Sequence, residues 1–314
     1  MVMQASTRRL SALTEAVAWQ LRGVVESDAL RPLKFGLRDL MQRDEIAART
    51  RWALALPSEP TRFSLDRATG FAVNPFGNKL RLDAVCRLGQ GLSRTVERSN
   101  PIGGKAFHIN RLLPNDVASL ETMLAVALHE DVLHTVTSYL GIVPVLGDLD
   151  FFCSLPTPSA TPFSKSQLYH CDDTSLSQLK FFVYTDDVSE RDGPLEVVDA
   201  TRSQFVRDRV RYRYGGRASR VGDDVMTTYV PEHQQNSFVG PGGTSMIVDT
   251  ARCFHRGSRI RHSDRRRMVA VFQFVPPHCT QLPLRLRHGA PFAHLATSGM
   301  SPLARAVLGE PVDR

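Results

Sequence analysis

The sequence predicts a mainly β protein, an antiparallel barrel or sandwich with helices packed outside. Three observations predict it. Short apolar or alternating runs recur from residue 142 onward. Turn-formers such as Asp192-Gly193-Pro194 and Gly240-Pro241-Gly242-Gly243 separate them. A helical block precedes them, instead of helices alternating with strands.

In chain order, the first hundred residues are mixed and weakly patterned. Ala5 to Val25 has helical spacing, with Leu10, Leu13, Ala16, Val17 and Leu21 on one side. Pro57, Pro60, Pro75 and Gly77 mark loops, and Ser99-Asn100-Pro101-Ile102-Gly103-Gly104 is a break. Pro114-Asn115-Asp116 can start a helix whose stripe is Val117, Leu120, Leu124, Ala127 and Leu128. A second helix is expected from about Asp131, stopped by Gly141. Strands are expected at Val143 to Leu155, Gln167 to His170, Leu179 to Tyr184, Leu195 to Val198, Thr244 to Val248 and Met268 to Val275. Ala200 to Phe238 is long, charged and rich in Tyr and Arg, and reads as an insertion covering the mouth of the barrel.

Composition sets bounds on function. With 42% hydrophobic and 23% charged residues, the 314-residue chain is expected to bury a sizeable core. It has no apolar run long enough for a transmembrane helix, and its start lacks the unbroken apolar run of a secretory signal. A cytoplasmic location with no membrane partner is the expectation. The five cysteines are odd in number and form no CxxC, which argues against a disulfide framework or structural zinc. Of these, Cys171 and Cys253 lie near the candidate ligands below, but buried thiols are the simpler reading. The net charge of +7 is concentrated: Arg252 to Arg267 holds seven arginines against one acid, Asp264. The rest of the chain is close to neutral, which argues against a general nucleic-acid surface.

The chemistry lies in two motifs, His170-Cys171-Asp172 and His255, the latter followed by Arg265-Arg266-Arg267. Residues i and i+2 of a strand share a face, so His170 and Asp172 can reach one metal together. His255 would be the third ligand. Two histidines and a carboxylate form the facial triad of non-haem iron(II), with open positions for a bidentate 2-oxo acid and O2. A downstream arginine would grip the distal carboxylate of such a cosubstrate. Lys180 is a second anion-binding candidate, because alternation puts it on one face with Phe182 and Tyr184; a solvent-seeking edge lysine is the plainer account. His129 and His134 suggest a zincin motif, but they are five residues apart, not four, and do not align on a helix. Asp249 reads as fixing the turn before His255.

The stretches from Gln167 to Asp173, Leu179 to Val188, Asp192 to Val198 and Val248 to Gly257 resemble the phytanoyl-CoA dioxygenase family. The resemblance spans roughly residues 105 to 280. It implies a double-stranded β-helix (a jelly-roll, cupin-like barrel), with iron(II) held by His170, Asp172 and His255 and with 2-oxoglutarate and O2 as cosubstrates. It places the 2-oxoglutarate arginine eleven residues past the second histidine, at Arg266. Ile260 stands where the family often has Asn, and Ser263-Asp264 is shifted by one position; a matching slip moves the role to Arg267. Asp172 argues against the related halogenating enzymes, in which a small residue replaces the carboxylate.

These readings lead to one oxygenase domain over 1–314, with a helical or irregular portion at 1–104, the β-helix core at 105–280 and a tail at 281–314. The expected activity is iron(II)- and 2-oxoglutarate-dependent hydroxylation of a small molecule, releasing succinate and CO2. The alternative is a non-catalytic ligand- or metal-binding barrel with a sensing or scaffolding role. An oxygenase acting on nucleic acid or protein fits the localised charge less well.

Overall fold

The computed structural model describes residues 30–57, 62–96, 106–109, 113–214, 219–277 and 290–312. The helical spacing at Ala5 to Val25, the break at Ser99 to Gly104, and Cys279, His278 and His288 lie outside them. Among the described residues no helix is long and apolar enough to cross a membrane.

Helices α1 (Arg31–Met41) and α2 (Arg43–Ala55) open the described chain, followed by β1 (Phe71–Val73) and α3 (Asp83–Thr95). Next come β2 (His108–Ile109), α4 (Val117–Ala127), α5 (Glu130–Leu140) and β3 (Val145–Ser154). Asp116 caps α4 by accepting from Ser119 N, satisfying one of the amides a helix start leaves unpaired. Gly141 ends α5 at φ 69°, a left-handed position that favours glycine. His129, at the N-cap of α5, accepts from Asp131 N, and His134 contacts the Pro57 carbonyl; neither joins a metal cluster.

The remaining elements are β4 (Leu179–Tyr184), β5 (Leu195–Val197), α6 (Ala200–Val210), α7 (Asp223–Tyr229), β6 (Asn236–Phe238), β7 (Ser245–Asp249), β8 (His255–Arg256), β9 (Arg267–Val275) and α8 (Pro302–Leu308). They form two antiparallel sheets, one of six strands in the order β1-β7-β4-β9-β3-β2 and one of three in the order β6-β5-β8. Strand alternation gives the large sheet two faces. Phe151, Phe181, Ile247, Phe272 and Phe274 pack beneath the helices, with Val85 of α3, Met123 of α4 and Val307 of α8. Phe182, Tyr184, Met246, Val269 and Val271 turn the other way and pack against Leu195, Val197 and Phe238 of the small sheet.

Three differences from expectation bear on the site. β1 pairs with β7, and α3 and α8 bury side chains in the main core, so residues on both sides of 105–280 build the same core. Gln167 to His170 is not a continuous strand: a 3-10 turn (Lys165–Gln167) leads into single bridges, Tyr169 with Val221 and His170 with His255. The 200–238 segment contains α6 and α7, whose Val206 and Met226 share a third core with Tyr169, Cys171 and Phe254. That core lies directly behind the metal-ligand motif.

Candidate metal centre

His170, Asp172 and His255 come together, with one potential ligand atom from each within 4.8 Å of the others; among the described residues this is the cluster of such groups that could hold a metal. Backbone pairing sets the approach. His170 and His255 exchange both hydrogen bonds, at 3.1 and 3.0 Å, and Asp172 N donates to Thr250 O at 2.8 Å. The bridge places the two imidazoles 4.3 Å apart, centroid to centroid.

The polar atom each ligand does not need for a metal is engaged elsewhere. His170 Nδ1 lies 3.0 Å from Leu168 O, and His255 Nδ1 3.1 Å from Cys253 O. A carbonyl only accepts, so each Nδ1 carries the hydrogen and each Nε2 keeps its lone pair. On Asp172, Oδ2 accepts from Gln178 Nε2 at 2.8 Å and pairs with Lys180 Nζ at 2.9 Å. That leaves Oδ1, 3.9 Å from His255 Nε2, for a shared ion. Protonation also suits ligation. Burial, reinforced by His255, pushes His170 well below its ordinary pKa, and burial likewise lowers His255. Burial would raise Asp172, but Lys180, then His255 and His170, outweigh it and hold the carboxyl well below the usual range. Two neutral imidazoles and a carboxylate are a suitable donor set for a divalent transition metal.

Support comes from residues that no motif marked. Gln178 also donates to Thr250 Oγ1 at 2.9 Å and accepts from Gln273 at 3.2 Å, so its amide is fixed on both sides. Its backbone N reaches Asp249 Oδ1 at 3.3 Å. Asp249 is fully buried and receives the Tyr139 hydroxyl and the Ala251 and Arg252 amides. It therefore holds the turn leading into His255 and is not a ligand, as the sequence suggested. Cys171 and Cys253 are buried thiols outside the cluster; burial raises the Cys253 pKa well above its ordinary value.

Lys180 is not an edge residue. β4 lies between β7 and β9, and the anion Lys180 finds is Asp172. The buried anion that an inward-facing Lys180 requires is thus present within the protein as a carboxylate. Gln178, just ahead of β4, shares that carboxylate oxygen.

The two candidate arginines are placed differently. Arg266 is exposed and donates to Ser93 O on α3 at 2.6 Å, away from the space between the sheets. Arg267 pairs in register with Ser154 and shares its face with Val269 and Val271, so alternation turns it inward. It is 7% exposed and lines a cavity with Phe182, Tyr184, Leu195 and Met246. Its guanidinium donates to Gly193 O and, at 3.4 Å, to the hydroxyls of Ser154 and Ser258. Nε has no partner, and among the described residues no carboxylate lies within ion-pair distance. The other arginines of the cluster are structural ties: Arg252 to Arg67 O and Tyr139, Arg256 to Glu196 and Asp223, Arg259 to Asp223, Arg261 to loop carbonyls, Arg265 to Asp192.

His170 and Asp172 border a cleft of about 330 Å³ whose walls also include Lys165, Asp173, Ser219 and Arg220.

No protein-family model matches the chain, and no curated protein matches it. Solved structures do. EctD from S. alaskensis matches at 11% identity over 72% of this chain and 82% of that one, with a TM-score of 0.46. The epimerase SnoN, in complex with Fe3+, alpha ketoglutarate and nogalamycin RO, matches at 16% identity over 69% and 87%, with a TM-score of 0.45. HygX from Streptomyces hygroscopicus, with nickel and 2-oxoglutarate bound, matches at 16% identity over 67% and 83%, with a TM-score of 0.40.

Proposed function

We propose that this protein is an iron(II)- and 2-oxoglutarate-dependent oxygenase that hydroxylates a small molecule. The carrying observation is the ligand cluster: His170, Asp172 and His255 each present one free donor atom while their other polar atoms are already bonded. Three protein ligands leave three positions on an octahedral ion, enough for a bidentate 2-oxo acid and O2. Iron(II), when bound, would supply the redox chemistry by which 2-oxoglutarate and O2 give succinate, CO2 and a hydroxylated substrate carbon.

The chain's own residues do the rest. Arg267 binds the distal carboxylate of 2-oxoglutarate: its charge is buried without an anion, a costly state that a carboxylate relieves. Ser154 and Ser258 hold the guanidinium from one side, and Gly193 O from another. Lys180 and Gln178 orient the metal-binding carboxylate, as outer partners of metal ligands generally do. The apolar walls at Phe182, Met246 and Val271 exclude water from the space between the sheets.

On this reading the two facing sheets are a double-stranded β-helix of the phytanoyl-CoA dioxygenase type, the described residues belong to one oxygenase domain, and the enzyme works in the cytoplasm. The test is aerobic turnover. Protein supplied with iron(II) and 2-oxoglutarate should release succinate, and Asp172→Ala should not. Equal succinate release by both proteins would refute the assignment.

A further inference from the structure

We propose that the substrate is a small molecule bearing an oxyanion, a carboxylate or a phosphate, which Arg220 binds at the metal cleft. This rests on the oxygenase reading, since it assigns the occupant of the same cleft.

Arg220 is held in place beside the ligand motif. Its neighbour Val221 exchanges both backbone hydrogen bonds with Tyr169, at 3.1 and 2.8 Å, so Arg220 stands next to the strand-like stretch that carries His170. Its other neighbour, Ser219, is buried, and Ser219 O accepts the Tyr212 hydroxyl at 3.0 Å. Arg220 Nη1 donates to Ser219 O at 2.6 Å and Ser219 Oγ at 3.0 Å. These bonds fix one edge of the guanidinium. Nε and Nη2 have no protein acceptor among the described residues, and no carboxylate pairs with the group. A half-buried guanidinium with an unused pair of parallel donors matches the two oxygens of a carboxylate or phosphate.

The cleft's composition narrows the class. Among the described residues its lining side chains are charged or polar, with the Cys171 sulfur and the His170 imidazole and no purely hydrocarbon side chain. At about 330 Å³ it is at the small end of ligand sites. A compact polar anion fits it, and an extended hydrocarbon chain does not. Lys165 adds positive charge from a backbone in the left-handed region (φ 54°), which an ordinary side chain adopts only where the surroundings impose it. Among the described residues Asp173 is the one acid of the lining beyond Asp172, and Lys165 balances it by charge.

The experiment is calorimetric titration of acetate, inorganic phosphate and the neutral acetamide into the anaerobic iron(II) and 2-oxoglutarate holoprotein. The same titrations are run on Arg220→Gln and Arg220→Lys. At least one of the two anions should bind the wild type, and acetamide should not. Arg220→Gln should weaken that anion about tenfold or more, the loss expected for one charge-assisted contact, and Arg220→Lys should keep part of the affinity. Tighter binding of acetate assigns the carboxylate, and tighter binding of phosphate the phosphate. No anion binding at about 50 mM, beyond the millimolar range one such contact supports, overturns the proposal. So does equal binding by wild type and Arg220→Gln. The visible band of the iron and 2-oxoglutarate complex separates the two claims. Its presence without an Arg220-dependent anion sinks the oxyanion alone. Its absence from the wild type sinks the oxygenase reading, and the titration repeated on the iron(II) protein without cosubstrate then decides Arg220 by itself.

Discussion

Replacing Arg267 with glutamine should abolish tight 2-oxoglutarate binding, whereas the same change at Arg266 should leave it nearly intact. The magnitude follows from where each side chain lies. Arg267 is buried, lines the cavity between the sheets and has no carboxylate partner. A bidentate contact to the distal carboxylate would give it two charge-assisted hydrogen bonds, each worth about 1.5–3 kcal/mol. Allowing for non-additivity and the partial replacement glutamine offers, the loss is about 2–4 kcal/mol, or roughly 30- to 1,000-fold in dissociation constant. Arg266 is exposed, and its bond to Ser93 O is a surface contact, so its loss falls within about 0.5 kcal/mol. The assay is anaerobic titration of 2-oxoglutarate into the iron(II) protein, with urea unfolding of each variant in parallel. Unfolding is informative because Arg267→Gln removes a buried charge as well as the donor to Gly193 O, two effects of opposite sign. The metal-free variant should therefore remain folded, within about 2 kcal/mol of wild type. Loss of cosubstrate binding in Arg266→Gln, with Arg267→Gln unaffected, would refute the inward assignment.

Three further outcomes are expected. Gln178→Ala frees one face of Asp172 and should weaken iron binding about 10- to 100-fold by competition with a chelator, with little change in the unfolding midpoint; an unchanged affinity would show that Lys180 alone suffices. Tyr139→Phe removes a donor to the buried Asp249, and urea unfolding should show a loss of about 1–2 kcal/mol; a loss below about 0.3 kcal/mol would mean that Ser177 and the backbone amides satisfy that carboxyl without it. Asp223 at the start of α7 takes both nitrogens of Arg259 at 2.6 and 2.8 Å and a third contact from Arg256; the Arg259 bond, opposed by burial and aided by Arg256, lowers its pKa. A lowered acid stabilises the fold above its unfolded pKa and loses that contribution as pH falls through the folded value. The protection factors of the α7 amides, corrected for the intrinsic exchange rate at each pH, should therefore fall in wild type below about pH 4, while Asp223→Asn should be looser by about 1 kcal/mol at neutral pH and lack that acid step.

What the sequence revealed depended on how far each signal is local. β4 and β9 were readable because their apolar runs match buried strands closely, and α4 and α5 because Asp116 and Gly141 mark their ends. α2 was hidden because a charged residue occupies its core face. Arg49 is 1% exposed and donates to the carbonyls of Pro144, Ala306 and Glu310, contacts made across more than 90 residues of chain. The three ligands were legible because the metal's donor preference singles out His170, Asp172 and His255, although a single bridge between His170 and His255 and the Asp172 amide bond to Thr250, not a continuous strand, bring them together. Counting from the histidine left the arginine open between Arg266 and Arg267, because the chain between His255 and β9 is irregular, with Ser258 at φ 62°, and spacing cannot set which residue enters the strand facing inward. Pairing with Ser154 sets it, and that pairing is tertiary. Gln178, Thr250 and Arg220 belong to no motif; their roles exist only once Asp249, Asp172 and Tyr169 are brought beside them.

If His170, Asp172 and His255 hold iron(II), 2-oxoglutarate chelates that iron and gives it a visible charge-transfer absorption. The most direct measurement is visible absorption of the anaerobic protein on adding iron(II) and then 2-oxoglutarate. The wild type should show a charge-transfer band that is absent from His170→Ala and, at the same cosubstrate concentration, weakened in Arg267→Gln. A wild-type protein that takes up iron but shows no band, or a band that persists in His170→Ala, would rule out this iron site.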